Sequence, residues 1–256
     1  MKKVTKRITA IILFFCLILG LPVIRTDAGD LFCRIRSYKD KNGRDPGKLV
    51  IDTPEGSKIY QCYAQIDYGY EAQGCVVTAV AIAASAYGKA YTPKRIQEGK
   101  RSRRYSVRYA VKKMKASAEL HGKAAISVST AAQILKDMGI QTKAVYRFKK
   151  SKAIKEIKKH VKKGKPVLIK ANAQKHNGIQ IANAHHAILL VGLDEEGYGI
   201  FIDPMQGKIN YAHGSGNYFR MKINTLVNYH MTQASGNYKT PYVTNVEAAG
   251  GYILIG

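Results

Sequence analysis

From residue 73 to 88 the chain reads QGCVVTAVAIAASAYG, and between Val76 and Tyr87 only Thr78 and Ser85 are polar. Two such groups cannot make a wet face, so a helix built here must be buried on every side. Ala79, Ala81, Ala83, Ala84 and Ala86 are small enough to let neighbouring elements come close. Gly88 suits the left-handed residue that ends a helix. Cys75 then falls in the first turn, where unpaired N–H groups and the helix dipole favour an anion and lower a thiol pKa. A buried cysteine also serves as a small hydrophobe, so its chemistry has to be argued from whatever meets it.

A chain of 256 residues, 46% hydrophobic, supports one sizeable core with appendages. Its first seven residues, MKKVTKR, are basic, and an apolar run over residues 8–24 is broken only by Thr9, Gly20 and Pro22. With Thr26-Asp27-Ala28 behind it, this is the pattern of a signal peptide over residues 1–28, cleaved before Gly29. The protein is therefore expected to be secreted, extracellular or wall-associated. The rival is an uncleaved membrane anchor, since the run approaches spanning length. Cys16 follows Phe14 and Phe15, too bulky to precede a lipid-modified cysteine. Removing the segment leaves Cys33, Cys62 and Cys75, an odd number outside the cytoplasm. One arithmetic bridges Cys33 to Cys62 and leaves Cys75 free. No Cys-x-x-Cys or His-x-x-x-His spacing supports a zinc site, and no cofactor or metal is expected.

The formal net charge is +25. Much of it lies in residues 89–123, including Lys100-Arg101-Ser102-Arg103-Arg104, and in residues 143–165. Such a field favours polyanions, for an exported protein the anionic polymers of a cell wall, while the plain alternative is solvated helix faces. Nucleic acid is not expected, because no recognition motif accompanies the charge.

Residues 29–60 are mixed and turn-rich and read as an N-terminal extension, ahead of a folded domain over residues 61–256. Thr130-x-x-Gln133 has capping-box spacing before a short helix closed by Gly139, and a strand-like stretch follows over residues 141–148. Ser151 is a candidate cap for an amphipathic helix carrying Ile154, Ile157 and Val161, ended by Gly164. A buried strand begins at Pro166. Further on, HHAILLVGLDEEGYGIFIDP sets two apolar runs, residues 187–193 and 198–202, around Asp194-Glu195-Glu196-Gly197, which reads as an antiparallel hairpin. His186 and Asp203 stand nearly equidistant from the turn, so they should be neighbours across the strands to within one residue of register. A carboxylate beside an imidazole orients it and stabilises its charged form. His185 points to the opposite face. A thiol at a helix N-terminus, an imidazole and an orienting acid are what nucleophilic cysteine chemistry needs.

These stretches, with KKGKPVLIKA between them, resemble the papain-like cysteine peptidases related to the bacteriocin-processing, double-glycine-cleaving peptidases, in particular their exported bacterial relatives. The resemblance runs over most of residues 61–207 and is weakest over 89–123. It implies an α+β fold, with the helix of Cys75 packed on a twisted antiparallel sheet that carries His186 and Asp203. It also implies that Cys75 is the nucleophile, His186 the general base and acid, and Asp203 the orienting residue. The family's oxyanion glutamine lies shortly before the cysteine. Here Gln65 and Gln73 are the alternatives, and the Tyr63-Ala64-Gln65 context favours Gln65. Val76 stands where relatives often carry glycine or an acid, a departure that bears on substrate fit or activity. The function implied is hydrolysis of peptide bonds in a peptide or protein substrate. Two rivals share the fold: a peptidoglycan amidase or endopeptidase, and a non-catalytic module that binds a cell-surface polyanion or a peptide.

Overall fold

The computed structural model describes residues 34–39, 47–53, 56–68, 74–89, 91–97, 128–182, 185–205, 218–233 and 250–256. The N-terminal apolar run, Cys33, Gln73 and most of the first basic block lie outside the described residues. The chain opens with three antiparallel strands, β1 (Arg34–Tyr38), β2 (Lys48–Thr53) and β3 (Gly56–Gln61), in sequential order. The expected domain boundary at residue 60 falls within β3. A 3₁₀ turn, Gln65–Tyr68, leads toward helix α1 (Cys75–Ser85), which is followed by the short α2 (Pro93–Gln97).

Residues Cys75 to Ala84 of α1 are all buried, as a stretch with so few polar side chains requires. The helix stops where Gly88 takes φ +70°. There the Gly88 N–H donates to Ser85 O at 3.0 Å and the Lys89 N–H to Ala84 O at 3.1 Å, satisfying the last carbonyls.

After α3 (Val128–Asp137), β4 (Thr142–Val145) and α4 (Lys150–Val161) come β5 (Val167–Ala171), the two-residue ribbon strands β6 (Lys175–His176) and β7 (Ile179–Gln180), and the hairpin β8 (His186–Leu193) and β9 (Tyr198–Ile202). β10 (Tyr218–Lys222) passes into a helical turn, Ile223–Thr225, and a π-helical turn, Leu226–His230, and β11 (Tyr252–Ile255) ends the chain. Six of these strands form one antiparallel sheet, in the order β10-β9-β8-β5-β11-β4.

Both faces of this sheet are covered, which is why β8 reads as a continuous apolar run instead of alternating. On one face Leu168, Ala187, Leu189, Val191, Ile200 and Ile202 pack with α1, α3 and the N-terminal residues Leu49, Ile51 and Tyr60. On the other, Ile169, Ile188, Leu190 and Phe201 pack with Ala153, Ile157 and Val161 of α4 and with Leu226 and Val227. Each large aliphatic side chain buried this way contributes about 1.5–3 kcal/mol. The fold is α+β and papain-like, the helix that starts at Cys75 lying on an antiparallel sheet that carries His186 and Asp203.

Three local expectations are corrected. Thr130 lies inside α3, which starts at Val128, and Gln133 donates to Asp137 Oδ1 at 2.8 Å along the helix instead of capping its start. α4 begins at Lys150 after Lys149, with no side-chain cap bond, so Ser151 is a first-turn residue. In the hairpin, Ile202 pairs with Leu189, where the expected register sets it against Ala187. Asp194 closes the turn itself: its N–H donates to Tyr198 O and its Oδ1 accepts from the Tyr198 N–H, both at 2.9 Å. The loop is thus the three residues 195–197, with Gly197 at φ +76°, and the register shifts again between Leu190 and Gly192.

Candidate active site

The site gathers where β5 ends, β8 begins and β9 has just ended. Extending the Leu189–Ile202 pairing by one residue sets Asp203 beside Ile188, two residues from His186 and on the same face, a diagonal reach for an imidazole. The His186 Nε2–H donates to Asp203 Oδ1 at 2.6 Å. The same oxygen accepts from the Met205 N–H at 2.8 Å, so the carboxylate is held from its own chain as well. Asp203 is wholly buried and His186 nearly so.

With Nε2 engaged, Nδ1 is the ring nitrogen left for Cys75, and ring and sulfur are near enough for each to favour the other's charged form. The Ala187 N–H is a further group near the sulfur that favours its anion. Cys75 is the first residue of α1, and Gly74 before it supplies no side-chain cap, so the first-turn N–H groups are not taken up by a capping side chain. Burial alone would push the Cys75 thiol up. The Lys170 ammonium, the hydrogen bond and charge of His186 and the Ala187 N–H together bring it down to about 7. Burial likewise opposes the imidazolium, but the charge and hydrogen bond of Asp203, aided by Cys75, lift His186 to about 10. Between those values sulfur and ring form a thiolate–imidazolium pair. For Cys62, also buried, desolvation outweighs a backbone hydrogen bond at Leu49 and pushes the thiol up to about 12.

Gln65 is buried in the 3₁₀ turn, and its N–H donates to Pro204 O at 2.9 Å, which ties that turn to the residue following Asp203. Cys75, His186 and Asp203 are thus brought together, with Gln65 tethered beside them; Gln73 lies outside the described residues. His185 faces elsewhere, with Nδ1 3.5 Å from Thr232 Oγ1. Sequence reasoning missed Lys170, although a single lysine inside the otherwise apolar VLIKA strand was the signal.

The sequence profile of the Peptidase_C39 like family matches residues 58–245. The chain belongs to this family. The matched span includes Gln65, Cys75, His186 and Asp203. As a Peptidase_C39 like protein, the chain belongs among the cysteine peptidases, whose substrates are peptides or proteins. No curated protein matches it in sequence. Among solved structures, a candidate C39-like peptidase from Bacillus anthracis is similar at 15% identity and a TM-score of 0.40, over 76% of this chain and 93% of that one. UfSP from C. elegans is similar at 14% identity and a TM-score of 0.35, over 77% of this chain and 32% of that one. Both likenesses are too loose to argue from.

Proposed function

We propose that this chain is an exported cysteine peptidase working through Cys75, His186 and Asp203, with Gln65 completing the oxyanion site. The observation that carries the reading is the buried His186–Asp203 pair at 2.6 Å, with the Cys75 thiol at the start of α1 brought down by the ring near it. The Cys75 thiolate attacks the scissile carbonyl carbon and forms a C–S bond. The oxygen takes up the negative charge, facing the Cys75 N–H and the Gln65 amide. The His186 imidazolium gives its proton to the leaving amine as the C–N bond breaks. Water then attacks the thioester, His186 removes its proton, and the sulfur leaves as thiolate again. Asp203 holds the ring in one orientation and stabilises its charged form throughout.

The formal charge of +25 and the N-terminal signal pattern support action outside the cell, in loose contact with anionic wall polymers. The test is digestion of a peptide library by the wild-type chain and by Cys75→Ala, beside digestion of purified peptidoglycan. Cleaved peptides that vanish with the substitution support the reading. Cleavage of wall material alone moves the substrate to peptidoglycan, and no cleavage of either favours a binding module.

A further inference from the structure

β5 contributes Val167, Ile169 and Ala171 to the cluster under α4 and Leu168 to the cluster under α1. Strand alternation therefore sets the intervening Lys170 on the α1 side. Its cross-strand partner is Ala187, which packs in the same cluster as Cys75. The Lys170 backbone is fixed on both sides: its N–H donates to Gly251 O at 3.0 Å, and its carbonyl accepts from the Thr232 N–H at 2.9 Å. The residue is 9% exposed. Burying an ammonium is costly unless a counter-charge meets it. Among the described residues the ion pairs join Arg36 to Asp52, Lys143 to Glu156, His186 to Asp203, and Arg220 to Asp194 and Glu196; none takes Lys170. Among the described residues the titratable groups around the sulfur are then His186 from β8, Asp203 beyond β9 and Lys170 from β5, with His185 near enough to Lys170 to be held below its ordinary value. Two cations and one carboxylate balance when Cys75 carries the second negative charge.

Resting on the peptidase reading of this site, we propose that Lys170 is a positioning residue: its buried ammonium is the standing counter-charge of the Cys75 thiolate, independent of the proton on His186. An imidazolium must give up its proton to the leaving amine, whereas Lys170 on the neighbouring strand takes no part in that transfer. It holds the sulfur anionic at rest and lets it leave as thiolate when the thioester is hydrolysed.

The test is the pH dependence of Cys75 alkylation by iodoacetamide, followed by mass mapping in the full chain. In Lys170→Met, which keeps the length of the apolar stem, alkylation at pH 6.5 is expected to slow about tenfold, the equivalent of one unit in thiol pKa. Lys170→Arg should restore it to within about twofold of wild type, because the charge returns. A Lys170→Met profile that superimposes on wild type overturns the proposal. If Lys170→Met does not melt cooperatively, His186→Gln decides. With no imidazolium present, a midpoint still below about 8.5, the value of an ordinary cysteine, supports Lys170, and a midpoint above it overturns the role. Alkylation needs no substrate, so a shifted profile in a chain that cleaves no peptide sinks the peptidase reading and leaves this one standing.

Discussion

The sulfur of Cys75 is caught between a desolvation cost that favours the thiol and three neighbours that favour the thiolate, and its reactivity follows from which side wins at a given pH. With the thiol near 7 and the imidazole near 10, the working pair exists only between them. The rate of peptide hydrolysis should rise as pH climbs through about 7, where sulfur loses its proton, and fall as it approaches 10, where the ring does. A kcat/KM profile checks this, and a rate that keeps climbing past pH 10 would contradict it. Asp203→Asn keeps the shape of the side chain but removes the charge that lifts His186; the expected loss in kcat is between about 10²- and 10⁴-fold. Gln65→Ala should cost about 10²–10³-fold in kcat with little change in KM, because the amide acts on an oxyanion absent from the ground state. Cys75, His186 and Asp203 were legible in the sequence because each sits at a punctuation point, a helix start, a strand start and a strand end. Lys170 was not, because one charge in an apolar strand reads equally well as an edge residue until the pairing with Ala187 is known.

Periodicity locates the elements of this chain better than turn chemistry locates their ends. The buried helix and the hairpin strands stand where the apolar runs put them, since those runs must be covered on both faces. The caps at Thr130 and Ser151 failed because each helix starts before its candidate capping residue, with tertiary packing of the apolar face setting the start. The hairpin register slipped because Asp194 pairs with Tyr198 across the turn, leaving a three-residue loop, a choice made by its side chain bonding the Tyr198 N–H. The site survives the slip because a shift of two residues keeps every side chain on its face. At the other end of α1, nothing lies within 4 Å of a Cβ added to Gly88, so Gly88→Ala meets backbone cost alone. At φ +70° that is about 1–2 kcal/mol of stability, read from urea unfolding. Leu189→Ala, beneath α1, should cost more, about 2–5 kcal/mol, because it opens a cavity between helix and sheet.

At the scale of the whole molecule, the central sheet is fed by distant parts of the chain, with the last strand inserted between β5 and β4. That insertion, and the packing of Leu49, Ile51 and Tyr60 from β2 and β3 against the α1 cluster, were not legible. Both depend on which face is left open once the other elements have packed. The sequence between residues 29 and 60 shows turns more plainly than strands. Export and charge belong to this scale too. Secreted protein is expected to begin at Gly29 by N-terminal sequencing, and retention on anionic wall material should fall sharply from low to high salt, since exposed charges are screened over about a Debye length. Retention that ignores salt would remove the electrostatic part of this account. The claim beneath all of it is that one sulfur, at the start of the buried helix, is a nucleophile made ready by the ring and acid of the hairpin. A peptide-epoxide probe followed by mass mapping tests it most directly. The account predicts a single adduct on Cys75, formed far faster than in denatured protein and lost in His186→Ala; labelling no faster than the denatured control, or adducts on other cysteines instead, would contradict it.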